Sequence, residues 1–218
     1  MAETTVLIPT YFGNKMATTC IESIYKNVSN PIIMTYKNDI GWLKAANLLM
    51  KSVTTDVILV NDDTYILTDI VKEMSALAYS DPKIGIVGGK SLAPNGETVI
   101  NYGIYVGPDG NTAHKYYGKP RAEIDFIENQ KAVEGSCIFI KREVLDNVGY
   151  FDEAYGMGYR EEVDLAFEAR EAGYKVVSCP SAEYIHFTSQ TNSALGIHND
   201  TFDYFMSKWG TKLKLGKI

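Results

Sequence analysis

Asn61, Asp62 and Asp63 close the run VILVNDDTY, so three polar side chains directly follow an apolar strand. In open α/β sheets, ligands bind in the crevice beyond the carboxyl ends of the strands. Two adjacent carboxylates placed there repel one another unless a cation or hydrogen bonds intervene. A hard divalent ion with oxygen ligands, Mg2+ or Mn2+, suits them and keeps open positions for phosphate oxygens. Asn-Asp-Asp is equally turn and helix-cap chemistry, so the triplet by itself leaves both readings open. A second acidic group sits in Gly158-Tyr159-Arg160-Glu161-Glu162-Val163-Asp164. Acids in a first helical turn gain about 0.3–1 kcal/mol each from the helix dipole, which accounts for them without catalysis. Helical phase separates them: Glu162 shares a stripe with Leu165, Ala166 and Ala169 and is expected to point inward. Glu161, Asp164, Glu168 and Glu171 fall on another stripe, expected to be a solvated face. His186 follows a short apolar run; neutral imidazole suits Mn2+, and a protonated one pairs with phosphate.

These groups need a scaffold, and the first half of the chain supplies strand–helix alternation. Val6-Leu7-Ile8, Pro31–Met34, Asp56–Val60 and Ile84–Val87 read as buried strands, the last closed by Gly88-Gly89. Between them, Ala17, Ile21, Ile24 and Tyr25 keep helical spacing. Trp42, Ala45, Ala46 and Leu49 do so after Gly41, and Val71, Met74, Leu77 and Ala78 do so after a Thr68 cap. This order predicts an α/β fold with a mostly parallel sheet covered on both faces. The second half begins with a β-hairpin, Val99–Val106 and Thr112–Tyr117 flanking the turn Gly107-Pro108-Asp109-Gly110. A strand over Ala132–Ile140, a short helix over Glu143–Val148 and a stronger one over Tyr159–Ala172 follow, the last ended by Gly173. Val176-Val177 and Tyr184-Ile185 read as short strands, and Asn199–Trp209 as a final helix. Gly135-Ser136, before an apolar strand, can let the backbone approach a ligand. Tyr155, Tyr159 and Arg160 lie in a glycine-bracketed loop able to shape an acceptor site, and Trp42 reads as core. Without repeat or linker, residues 1–218 are expected to form one domain with two functional halves, about 1–95 and about 96–218.

Composition narrows the partners. The 218 residues carry a net charge of −6 and no Lys/Arg run, so neither nucleic acid nor a membrane surface is an expected partner. An acidic chain that takes an anionic ligand needs a local cation or backbone N–H groups. Three dispersed cysteines without a CxxC argue against a disulfide framework and a Cys-based zinc site, and they suit a reducing, cytoplasmic setting. The start MAETT has no basic leader region, and Val57–Val60 is far shorter than the ~20 apolar residues of a membrane span. After the first strand, VLIPTYFGNK holds neither the GxGxxG of a dinucleotide fold nor a P-loop, nor the Gly-rich, Arg-containing loop of a sugar-1-phosphate nucleotidylyltransferase.

Taken in order, VLIPTYF, GWLKAANL and LVNDDT resemble the nucleotide-binding half of GT-A glycosyltransferases of the family 2 type, where the third segment is a DXD-like motif. DPKIGIVGGK, GSCIFIKREVLDNVGYFDEAYGMGYREEVDLAFEAREAGYKVV and AEYIHF are similar to rhamnosyltransferase-type members, virus-encoded or multidomain relatives included, over nearly the whole chain. The resemblance implies a metal-dependent transfer of a hexose, glucose- or rhamnose-like, from a UDP- or dTDP-sugar to a hydroxyl of a glycan or glycoconjugate acceptor, with Mn2+ or Mg2+. It implies Thr10 and Tyr11 at the base and ribose, Asn38 or Asp39 at the edge of the base, Lys44 and Asn47 near the nucleotide, and Asn61 or Asp62 on the ribose. Asp63 is implied as metal ligand, with His186 reaching the metal or the diphosphate. Gly89, Gly135, Ser136, Tyr159 and Arg160 are expected around sugar and acceptor. Glu162 matches the catalytic-base position, with Glu161 beside it. The family usually has Asp there; Glu is one methylene longer, and a retaining transferase would need no such base. A non-catalytic nucleotide-sugar or carbohydrate-binding module on the same fold is the alternative.

Overall fold

Strand β1 (Thr4–Tyr11), buried over all but its last residue, serves two cores at once. Side chains alternate across a strand, so Leu7 enters one core while Val6 and Ile8 enter the other. Strand β3 (Asp56–Val60) repeats the split, with Val57 and Leu59 on one side and Ile58 and Val60 on the other. A computed structural model of the chain describes residues 3–11, 16–38, 40–156, 158–187 and 201–218, the side chain of Asn38 excepted.

Helix α1 (Ala17–Asn27) packs on the second face through Cys20 and Ile24, and helix α2 (Trp42–Lys51) on the first through Leu43, Ala46, Leu49 and Met50. Strand β2 (Ile32–Asn38) extends past the expected Met34 and pairs in parallel with β1. A strand absent from the sequence reading, β4 (Thr64–Ile66), leaves the Asn61–Asp63 turn. Helix α3 (Ile70–Ala78) is capped by Asp69, whose carboxylate accepts from Lys72 N–H at 3.1 Å, rather than by Thr68. Thr68 instead donates to Ser181 O at 2.8 Å and accepts from Glu183 N–H at 2.9 Å.

Strand β5 (Ile84–Leu92) runs through Gly88-Gly89 instead of stopping there. The glycines are demanded by packing: a Cβ on Gly88 would lie 2.5 Å from Val133, and one on Gly89 2.9 Å from Ala182 O and from Tyr184. The expected strand over Val99–Val106 is split at Gly103 (φ 111°) into β6 (Val99–Asn101), which pairs with β5, and β7 (Ile104–Val106). Strand β7 forms the predicted hairpin with β8 (Thr112–His114) around residues 107–110.

Strands β9 (Glu128–Asn129) and β10 (Cys137–Ile140) follow. Of the expected strand over Ala132–Ile140 only the last four residues qualify, and β10 enters between β3 and β5 antiparallel to both. Helices α4 (Arg142–Val148) and α5 (Glu161–Glu171) precede β11 (Lys175–His186), which joins the two short strands read from sequence across an irregularity between Ser178 and Glu183. The sheet order is β2-β1-β3-β10-β5-β11-β4, mixed but mostly parallel. Helix α6 (Phe202–Lys214) ends the chain; Asn199, the expected start, lies outside the described residues.

The expected solvated face of α5 holds at Glu171 but not at Asp164, which helix α6 covers. Phe205, Trp209 and Leu213 join the core with Phe167 and Ala169, and Asp164 is buried beneath them. Asp164 accepts from Trp209 Nε1 at 2.6 Å, from Tyr155 OH at 3.1 Å and from Lys208 Nζ at 2.7 Å. Tyr155 is therefore a core residue rather than part of an acceptor loop. Removing a buried carboxylate from a pair leaves its donors unsatisfied, at a cost of about 3–5 kcal/mol. Asp164→Ala is expected to lose stability on that order in urea unfolding; a change within a few tenths would show that α6 docks without it.

Candidate active site

Strands β1 and β3 end on one rim of the sheet, and antiparallel β10 starts there, Cys137 opposite Val60. Asn61 N–H donates to Ser136 O at 2.9 Å, laying the turn after β3 beside residues 134–136. Strand β4 then turns back and pairs Thr64 with His186 at the end of β11. That pairing brings two residues 123 positions apart in sequence into contact: His186 Nε2 lies 3.2 Å from Asp63 Oδ1. Phe187 N–H donates to Asp63 O at 3.0 Å and completes the junction. Asp62 points the other way and accepts from Tyr11 N–H at 3.1 Å, tying the ends of β1 and β3 together. Thr10 is buried, its hydroxyl donating to Ile8 O at 3.2 Å. The buried Oδ1 of Asn61 has no hydrogen-bond partner among the described residues.

His186 is held from both sides. Its Nδ1 lies 3.0 Å from Glu134 Oε1, and its Nε2, though close to Asp63, is not aligned for a hydrogen bond and has no such partner among the described residues. Burial disfavours the imidazolium, but the hydrogen bond to Glu134 and the charges of Asp63 and Glu134 outweigh it and push the pKa up to about 10. Glu134 shows the converse: burial would raise its carboxyl, yet His186 holds it below the usual range. Nothing in the local sequence singles out Glu134.

The Asp63–His186 pair fits a divalent ion. Two ligand atoms about 2.1 Å from one ion at a right angle stand about 3.0 Å apart, close to the separation found here. Among the described residues no set of three His, Cys, Asp or Glu side chains is arranged to hold a metal. A two-ligand site is the usual arrangement for an ion that shares its coordination with substrate phosphates and water. An ion bound there would displace the Nε2 proton and take that buried nitrogen, which has no hydrogen bond among the described residues.

Helix α5 opens under strain. Tyr159 (φ 70°) and Arg160 (φ 77°) are both left-handed, so the helix begins two residues later than expected, at Glu161. Such conformations cost roughly 1–3 kcal/mol each and persist where surrounding structure enforces them. Thr201 Oγ1 donates to Tyr159 O at 2.7 Å, and the Arg160 guanidinium lies over Phe202 and Phe205. Successive helical residues point about 100° apart, so Glu161 and Glu162 face different surroundings. Glu161 is buried, with Oε2 unpartnered among the described residues, so burial and the neighbouring Glu162 hold its carboxyl well above the usual range. Glu162 is half-buried, and Gly135 faces it: a Cβ on Gly135 would lie 3.5 Å from Glu162 Cβ and 3.7 Å from Trp42 Cη2. Burial raises Glu162 to about 7, the Glu134 carboxylate adding to the effect and Arg160 opposing it.

The remaining expected residues divide. Ser136 is buried, with its hydroxyl 2.7 Å from Tyr184 OH. Lys44 is exposed on α2. Asn47, expected near a nucleotide, is buried and spends its amide on Phe151, donating to O at 2.8 Å and accepting from N–H at 3.1 Å. Gly89 faces Tyr184 and Met74 inside the sheet–helix core, so its lack of a side chain answers packing rather than a sugar. Tyr159 is exposed. Strand β2 ends at Asn38, and Asp39 lies outside the described residues.

A family model described as glycosyltransferase-like family 2 matches residues 41–200. The chain belongs to this family. As in GT-A glycosyltransferases, a mostly parallel sheet with helices on both faces presents a rim of strand ends. The structure of GalNAc-T7 with UDP, GalNAc and Mn2+ superposes with a TM-score of 0.74 over 98% of this chain and 50% of that one, at 12% identity. O-antigen biosynthesis protein RfbC of Myxococcus xanthus is 30% identical over 133 residues, 58% of this chain and 10% of that protein. N-acetylglucosaminyl-diphospho-decaprenol L-rhamnosyltransferase of Mycobacterium tuberculosis is 35% identical over 80 residues, 34% of this chain and 26% of that protein. The family 2 domain seen here thus matches about a quarter or less of the length of these two relatives. Among its described residues no helix is long and apolar enough to cross a membrane.

Proposed function

We propose that this domain transfers a hexosyl group from a UDP- or dTDP-linked donor to a hydroxyl of a glycan acceptor, with Mn2+ or Mg2+ held by Asp63 and His186. The contact between Asp63 Oδ1 and His186 Nε2 at the strand-end rim carries this reading. When bound, the ion neutralises charge building on the departing nucleoside diphosphate. The chain's own residues do the rest. Asp62 fixes the backbone of Tyr11, so Thr10 and Tyr11 border the nucleotide at the end of β1. Asn61 Oδ1, without a hydrogen-bond partner among the described residues, accepts from a ribose hydroxyl. Glu162 takes the proton from the attacking acceptor hydroxyl at its carboxylate, and a pKa of about 7 suits a base working near neutrality. Glu161 beside it is buried, and burial with the neighbouring Glu162 holds its carboxyl well above the usual range.

A thermal-shift screen of nucleotide sugars with and without Mn2+ tests the proposal. A ligand at about 100 times its Kd stabilises the fold by about 2.7 kcal/mol, a readily measured shift. The expected result is a shift with UDP- or dTDP-hexose that needs the metal; no shift with any nucleotide sugar would remove the donor site. Release of the nucleoside diphosphate on adding acceptor then separates a transferase from a binding module.

A further inference from the structure

Glu134, which the proposed reaction does not use directly, lies mostly buried at the centre of a short polar chain. One carboxylate oxygen lies 3.0 Å from His186 Nδ1, and the other accepts from Tyr184 OH at 3.3 Å. Tyr184 OH is also 2.7 Å from Ser136 Oγ, and Ser136 O accepts from the backbone of Asn61. The chain therefore runs from the loop before β10 through β11 and back to the turn carrying Asp63. An imidazole has two ring nitrogens, and the hydrogen bond made by one decides which way the other faces. With Nδ1 committed to Glu134, the ring presents Nε2 toward Asp63.

We propose that Glu134 is a positioning residue: it holds the ring of His186 so that Nε2 stands beside Asp63, and Tyr184 with Ser136 holds Glu134. The proposal rests on the reading of Asp63 and His186 as the metal pair. Glu134 bonds to His186 through the nitrogen that faces away from Asp63, so it acts through the histidine. It also sits where its charge reaches Glu162, so the same carboxylate borders both the proposed metal pair and the proposed base.

Two readouts on Glu134→Ala and Glu134→Gln test this. The first is Mn2+ affinity in the presence of UDP, measured by electron paramagnetic resonance. The second is the pose of the His186 ring in metal-free crystals. Outer carboxylate partners of a metal-bound histidine are typically worth 10–100-fold in metal affinity. Glu134→Ala is expected to weaken Mn2+ binding by that factor and to let the ring turn, with the melting temperature held as a control for folding. Glu134→Gln keeps an acceptor for Nδ1–H and is expected to keep the pose with a smaller loss. An unmoved ring in Glu134→Ala overturns the proposal, as does unchanged Mn2+ affinity in a protein where His186→Ala loses it. If the unaltered protein binds no Mn2+ with UDP, the metal reading itself fails, and the ring pose alone decides the role of Glu134.

Discussion

Glu162→Gln is expected to lower the transfer rate at least tenfold while donor affinity stays unchanged. A positioned base contributes about 10²–10⁴ in rate, and the amide keeps the size of the side chain while removing its proton affinity. The unaltered enzyme should gain activity as pH rises through about 7, where burial places the Glu162 carboxyl, and the variant should lack that limb. Stability moves oppositely. The folded-state pKa lies above the ordinary value of about 4.3, so between those values the native state keeps a proton that the unfolded chain has released. Stability from this group is therefore present below about pH 4.3 and declines as pH approaches 7. Glu162→Gln should gain stability relative to the unaltered protein at pH 8 but not at pH 4, in parallel denaturant titrations. Unaltered transfer rates in the variant would remove Glu162 as base.

The second large effect is at Asp63. Asp63→Ala is expected to abolish the Mn2+ dependence of donor binding in calorimetric titrations, because it removes one of two protein atoms on the proposed ion and releases His186 Nε2. Its neighbour Asp62 is not a substitute, since its carboxylate is engaged with the backbone of Tyr11 on the other side of the turn. Donor affinity that still rises with Mn2+ in Asp63→Ala would defeat the ligand assignment.

Much of the scaffold was legible because strands buried on both faces leave apolar runs, as at Val57–Val60, and because α2 keeps its apolar spacing after Gly41. The strand end at Asn61–Asp63 was equally legible, since its position follows from where the run stops. What escaped was decided by distant partners. Asp164 sits on a polar stripe that reads as solvated; α6, over forty residues later, covers it with Trp209 and Lys208. Gly88-Gly89 looks like a strand terminator, yet Val133 and Tyr184 require the missing side chains while β5 continues. Glu134 has no local signature at all. Its meaning comes from β4 and β11 meeting, which places His186 against it. Asn47 was ambiguous for a related reason: a lone polar residue on an apolar helix face can serve a ligand or a backbone, and in this structure its amide bonds the Phe151 backbone.

The most direct measurement is an anomalous difference map from crystals of this domain grown with a UDP- or dTDP-hexose and Mn2+. The account predicts one manganese peak bonded to the Asp63 carboxylate and His186 Nε2, with the diphosphate oxygens completing its shell. A bound donor whose diphosphate lies away from both side chains, with no manganese between them, would contradict it.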